Sequence, residues 1–205
     1  MSEIKAIIFD LGAVLIDWDP RYVYREVFDT EEKVEWFLRN ICTLDWNERQ
    51  DAGYLIADAV EEKVAEFPEW EKEIRIYYDR WKDMLKGPIP ATVELFHQLK
   101  NSGNYKFYAL TNWSAELFPV ALERYDFLQW FDGIVVSGEE KMRKPAREFY
   151  QLLLDRYHLH SSDVLFIDDN LRNIKAAEAM GIKSIHFHSP DQLAEELKGL
   201  DILPR

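Results

Sequence analysis

Five short apolar runs, separated by stretches of helical spacing, set the organisation of this chain. They fall at about 4–9, 105–111, 133–136, 163–168 and 182–187. Each pair after the first is separated by residues whose apolar positions recur every three or four. That alternation builds a parallel sheet covered by helices on both faces. Pro90 to Lys100 carries Val93, Leu95, Phe96 and Leu99 on such a spacing and stops near Gly103. Ser114 is placed to cap a helix from Ala115 to Arg124, and Asn170 to cap one ending at Met180 before Gly181. Ser189-Pro190-Asp191-Gln192 has the form of a capping box with proline at the first helical position, opening a last helix to about Leu197.

The stretch from 18 to 88 has a different texture. It lacks strand-like alternation, holds Trp36, Trp46, Trp70 and Trp81 with Trp18 at its edge, and repeats helical spacings such as Val34, Phe37, Leu38 and Ile41. The pattern predicts a small all-helical domain inserted after the first strand. Gly87-Pro88-Ile89-Pro90 ends it and turns the chain back. The predicted fold is therefore α/β: a doubly wound parallel sheet formed by residues 1–17 and 89–205, with a helical cap at 18–88.

Composition narrows the chemistry. A chain of 205 residues with 47% hydrophobic and 31% charged residues buries one good core plus a small appendage. A formal net charge of −13 leaves no basic surface for a nucleic acid or an anionic membrane. The single cysteine, Cys42, allows no internal disulfide, and no Cys/His cluster has zinc-ligand spacing, which fits a reducing cytoplasm. The N-terminal apolar run is broken by Asp10 before it reaches the length of a signal peptide, and no run approaches the roughly 20 apolar residues of a membrane span.

Polar residues cluster where the strands end. Ile7-Ile8-Phe9-Asp10 closes on a carboxylate, and Tyr108-Ala109-Leu110-Thr111-Asn112 on a hydroxyl and an amide. Val164-Leu165-Phe166-Ile167-Asp168-Asp169 closes on two adjacent acids, and Lys144-Pro145 puts a cation in a turn. Ligands of doubly wound sheets sit beyond the carboxyl ends of strands, so these groups are expected to share a pocket roofed by the cap. A nucleophilic acid, a hydroxyl anchor, a lysine and a paired-acid metal clamp are what phosphoryl transfer through an aspartyl intermediate requires.

In this order, the motifs at Asp10, Thr111, Lys144 and Asp168-Asp169, with a cap between the first two, resemble the haloacid dehalogenase superfamily over nearly the whole chain. The resemblance implies a phosphatase acting on a small organic phosphate such as a sugar phosphate. Asp10 would be the nucleophile, Thr111 and the Asn112 amide would hold phosphate oxygens, and Lys144 would neutralise Asp10 and the incoming dianion. It implies Mg2+ held by Asp10, the Gly12 carbonyl and Asp169, with Asp168 as a further ligand or a brace and Asn173 supporting the pair. Trp46 and Trp113 are candidates for contact with the rest of the substrate.

One position departs from the resemblance. Phosphatases of this family usually carry a second aspartate two residues after the nucleophile to protonate the leaving oxygen, and this chain has Gly12 there, an Asp-Leu-Gly form that some of them share. Loss of a general acid costs about 10²–10⁴ in rate. Either the leaving group departs readily unprotonated, as the anomeric oxygen of a sugar 1-phosphate does, or another acid substitutes, for which Asp17 and Asp19 are the candidates. The glycine also suits a 2-haloacid dehalogenase, although Asp168-Asp169 does not, and it suits a binding protein that keeps the fold without turnover.

Overall fold

A computed structural model describes residues 3–204. All four residues of β1 (Ala6–Phe9) are buried. So are those of β6 (Val164–Asp168), and all but the first of β4 (Lys106–Thr111). Continuous apolar runs of this kind form the centre of a parallel sheet whose two faces are both covered. The sheet order is β5-β4-β1-β6-β7, with β5 at Gly133–Val136 and β7 at Lys183–His186. All four pairings are parallel. The alternation of side chains divides the strands between two cores. Ile7, Phe9, Phe107, Ala109, Leu165 and Ile167 face one, and Ala6, Ile8, Tyr108, Leu110, Val164 and Phe166 the other.

Between β1 and β4 lie the cap helices α1 (Arg21–Val27), α2 (Glu31–Asn40), α3 (Leu44–Asp51), α4 (Ile56–Glu66) and α5 (Glu71–Asp79). The hydroxyls of Thr30 and Thr43 accept from the third amide of α2 and α3, respectively, satisfying donors that a helix start leaves open. Inside the cap, Tyr24 packs on Phe37 at 4.9 Å, and Trp46 meets Tyr77 edge-on at 5.2 Å. The rest of the core is carried by α6 (Pro90–Ser102), α7 (Phe118–Arg124), α8 (Ser137–Glu140), α9 (Arg147–Arg156), α10 (Leu171–Glu178) and α11 (Pro190–Gly199).

The structure differs from the reading of the sequence in three places. The chain does not simply hinge at Gly87-Pro88: β2 (Ile16–Trp18) pairs antiparallel with β3 (Leu85–Pro88), a ribbon at the root of the cap. Strands of three and four residues are too short to show alternation. Ser114 does not cap α7; its Oγ accepts from Glu116 N at 3.2 Å, closing a turn, and the helix starts at Phe118 with Pro119 in its first turn. Finally, α10 ends at Glu178 and α11 runs on to Gly199. The Ser189–Gln192 capping box is present.

Phe96 is fully buried on α6 and touches Phe9, Phe107, Trp130 and Phe131 at ring separations of 4.6–5.6 Å. Phe96→Ala is expected to cost about 3–5 kcal/mol in urea unfolding. A loss below about 1 kcal/mol would mean that this core is not packed as described.

Candidate active site

Sheet order decides what meets at the carboxyl ends of the strands. β1 lies between β4 and β6, with Phe9 level with Ala109 on one side and Ile167 on the other. The residues that follow, Asp10, Leu110-Thr111 and Asp168, therefore emerge side by side at the point where the strand order reverses. The Asp10 amide donates to Ile167 O at 2.8 Å, and its own Oδ1 accepts from Leu11 N at 2.7 Å.

Lys144 binds this end together. Its ammonium is fully buried, 2.9 Å from Asp10 Oδ1 and 2.7 Å from Asp168 Oδ2. The Asn112 side chain holds the backbone that carries it: Oδ1 accepts from Lys144 N at 2.9 Å, and Nδ2 donates to Lys144 O at 3.0 Å. Asp168 is saturated, taking Asn173 Nδ2 at 3.0 and 3.1 Å and Asn170 N at 2.8 Å besides the lysine. Asp169, next along, is exposed.

Oxygens of Asp10, Asp168 and Asp169 all lie within 4.8 Å of one another. Burial pushes the Asp10 carboxyl above its ordinary range, Lys144 pulls it back, and the charges of Asp168 and Asp169 add to the rise. Asp169 is pushed upward as well, by the water its packed neighbours exclude from around the carboxyl, although part of the residue reaches solvent, and by the Asp168 charge. Burial opposes the charge of Lys144, but Asp10 and Asp168 outweigh it and hold the group above 10.5. One ammonium among three carboxylates leaves an excess of two negative charges. A dication with a preference for oxygen ligands neutralises that excess, so the donor set fits Mg2+. Thr111 adds a second unfilled demand: its hydroxyl is buried at the end of β4 without a partner among the described residues.

Two spaces open where cap meets core. A cleft of about 450 Å³ has Asp169 at one place on its wall, with Trp18, Pro20, Leu38, Cys42 and Leu44 supplying apolar surface. A cavity of about 60 Å³ is lined by Trp18, Asn47, Asp51, Trp81, Asn112 and Trp113. Trp113 therefore borders the site, packed edge-on against Trp81 at 5.5 Å. Trp46, read from the sequence as a substrate contact, lines neither space. Its ring is buried inside the cap, with Nε1 donating to Ala59 O at 3.3 Å. Of the candidate substitute acids, Asp17 accepts the Tyr22 hydroxyl on both oxygens, whereas Asp19 takes the amide and guanidinium of Arg21 on Oδ1 and stands on the wall of the larger cleft.

The sequence reading missed a clamp from the cap to the core. Glu48 on α3 holds Arg172 at 2.6 Å and Arg143 at 2.7 Å. Arg143 precedes Lys144, and Arg172 stands just past the acid pair. Beside the clamp, Gly53 at φ +90° lets the cap loop pass 3.0 Å from the Gly138 carbonyl, measured to where a Cβ would sit. The Trp46–Gly53 run stood out for its mix of polar and aromatic groups, but nothing local indicates which arginines it meets.

The profile of the haloacid dehalogenase-like hydrolases matches residues 7–187. The chain belongs to this family and is a hydrolytic enzyme. It is 29% identical to the sesquiterpene phosphatase astK of Aspergillus oryzae over 199 residues, 97% of each chain. It is 28% identical over 186 residues to a phosphorylated carbohydrates phosphatase of Thermotoga maritima, covering 89% of this chain and 84% of that one. Among solved structures, a HAD family enzyme of Bacteroides thetaiotaomicron in complex with magnesium superimposes with a TM-score of 0.71 at 20% identity, over 96% of this chain and all of that one. The last likeness is one of fold.

Lys144→Met leaves the buried carboxylates without their cation, and removing one partner of a buried pair costs about 3–5 kcal/mol. Because Lys144 is held above 10.5, its stabilisation persists through neutral pH and fades only in alkali. The deficit of the variant in urea unfolding is therefore expected in full at pH 8 and should shrink towards pH 5, where the unpaired acids protonate. A deficit independent of pH would contradict this arrangement.

Proposed function

We propose that the protein is a cytoplasmic, Mg2+-dependent phosphatase that hydrolyses a small organic phosphate through an aspartyl-phosphate on Asp10. The observation that carries the reading is the buried Lys144 ammonium joined to both Asp10 and Asp168, with the unpartnered Thr111 hydroxyl on the neighbouring strand end. Asp10 Oδ1 is engaged by Lys144 and the Leu11 amide, and no donor among the described residues reaches Oδ2. Oδ2 is accordingly the oxygen assigned to attack. Thr111 and the Asn112 amide hold phosphate oxygens, and Lys144 offsets the dianion's charge as it approaches Asp10. Asp10, the Gly12 carbonyl and Asp169 hold Mg2+, with Asp168 beside them and Asn173 fixing Asp168's orientation. When bound, the cation neutralises charge on the phosphoryl group. Trp113 walls the site.

The walls of the larger cleft favour a substrate with a hydrocarbon body. Leu38, Cys42, Leu44, Trp18 and Pro20 offer it little to hydrogen-bond, and the nearby Arg21 and Arg39 are both taken by Glu35. Asp19 and Asp169 are the carboxylates this wall offers a sugar, too few for most of its hydroxyls, at a cost in binding. The similarity to a sesquiterpene phosphatase supports the same preference.

Purified protein with millimolar Mg2+ is expected to release phosphate from alkyl or isoprenoid phosphates faster than from sugar phosphates or flavin mononucleotide, and to stop on adding EDTA. Asp10→Asn should lose at least about 10³-fold. No release from any of these esters, or chloride release from 2-chloropropionate that survives EDTA, would overturn the reading. In thermal melts, Mg2+ should raise the midpoint of the wild type and not that of Asp169→Asn. Equal shifts in the two proteins would remove Asp169 from the metal site.

A further inference from the structure

Hydrolysis of an alkyl phosphate produces an alkoxide unless a proton reaches the ester oxygen as its bond to phosphorus breaks. In-line attack places that oxygen on the far side of phosphorus from the nucleophile. With Asp10 on the sheet, the leaving oxygen faces the cap. The core offers no acid in that direction from position 12. Gly12 is not excluded from carrying a side chain by crowding, since a Cβ there would meet nothing within 4 Å. The proton therefore has to come from elsewhere.

The 60 Å³ cavity supplies a source. It adjoins the phosphate end through Asn112, whose side chain clamps Lys144, and Asp51 is the one carboxyl among its lining residues. Asp51 ends α3, and its position is fixed from both domains. Asn47 Nδ2 donates to its Oδ2 at 3.0 Å, and the Ser137 hydroxyl donates to its carbonyl at 2.5 Å. A second feature of the cavity points to an oxygen-bearing ligand. Trp18 and Trp113 both line it, and the buried indole N–H of each lacks a partner among the described residues. Trp113 is 5% exposed.

We infer that Asp51 is the general acid of this enzyme, a cap carboxyl that protonates the departing ester oxygen. The inference rests on the phosphatase reading above. In the first step an Asp10 oxygen bonds to phosphorus and the phosphorus–ester oxygen bond breaks. Its electron pair stays on the ester oxygen, which takes the Asp51 proton and leaves as the alcohol. In the second step a water oxygen bonds to phosphorus and the bond to Asp10 breaks. The Asp51 carboxylate takes the water proton, so phosphate departs and both acids regain their starting states.

The surroundings of Asp51 suit a proton donor. Burial pushes its carboxyl up to about 7 and the charge of Glu48 adds to the rise, while Arg143 and the Ser114 amide pull it back. The hydroxyls of Tyr77 and Tyr78, on α5, also feel its charge. The protonated form thus persists to near neutrality and is lost as pH rises through about 7.

The test compares Asp51→Asn with wild type on n-decyl phosphate and on p-nitrophenyl phosphate, whose leaving group departs unprotonated. The variant should lose about 10²-fold or more in kcat on the decyl ester, and at least about tenfold less on the aryl ester. Across a series of substituted phenyl phosphates, its rate should depend more steeply on leaving-group pKa than that of the wild type. This slope is measured within one folded protein and does not depend on how much of it folds. Wild-type turnover of the decyl ester should fall above pH 7, and that limb should vanish in the variant. If wild type turns over both esters but the variant loses them equally, with an unchanged slope, the assignment to Asp51 is overturned alone. If wild type turns over neither, the phosphatase reading falls and takes the assignment with it.

Discussion

The buried bridge from Lys144 to Asp10 and Asp168 is the constraint on which the rest of this molecule depends. Removing an ammonium from water costs several kcal/mol, and only close, well-oriented carboxylates offset it. The geometry that satisfies the lysine also ties three chain segments to one point: the end of β1, the end of β6 and the loop before α9. Asn112 adds β4 by gripping the lysine's backbone. The ion cluster is thus both the knot of the core and the floor of the site. It carries more negative charge than one lysine can neutralise, and that residual demand suits it to a dication, whose own charge would then offset that of a phosphate.

Above this floor the cap does more than cover. Glu48 pins it to Arg143 and Arg172, residues that flank the lysine and the acid pair, so cap position and ion cluster are mechanically linked. The antiparallel ribbon of β2 and β3 forms the root of the cap and fixes where the chain leaves and rejoins the core. If the proton donor stands on the cap, as proposed for Asp51, an enzyme without an acid at position 12 has reason to hold its cap this firmly.

The sheet and the floor of the site were legible in the sequence because each part is local. A buried parallel strand is a continuous apolar run, and the polar residue that ends it is the one presented to a ligand. Asp10, Thr111 and Asp168-Asp169 announce themselves in this way. The remainder depends on contacts between distant segments. Glu48 meets Arg172 across 124 positions of sequence, and no local pattern encodes that pairing. Trp46 looked like a ligand contact because it sits in a polar run, yet its ring turns inward against Tyr77 and Tyr78. Its neighbour five residues on, Asp51, reaches the cavity instead. In a helix, which face meets the core is decided by packing of the whole cap, and the sequence of one segment does not contain it.

The central claim is that Asp10 becomes covalently phosphorylated during turnover. Rapid acid quench of the enzyme with Mg2+ and an alkyl phosphate, followed by peptide mass spectrometry, measures this directly. The account predicts a phosphoryl group on the peptide carrying Asp10 that appears and decays within the turnover time and is missing from Asp10→Asn. Steady release of phosphate with no modified peptide, or with the phosphoryl group on another residue, would contradict it.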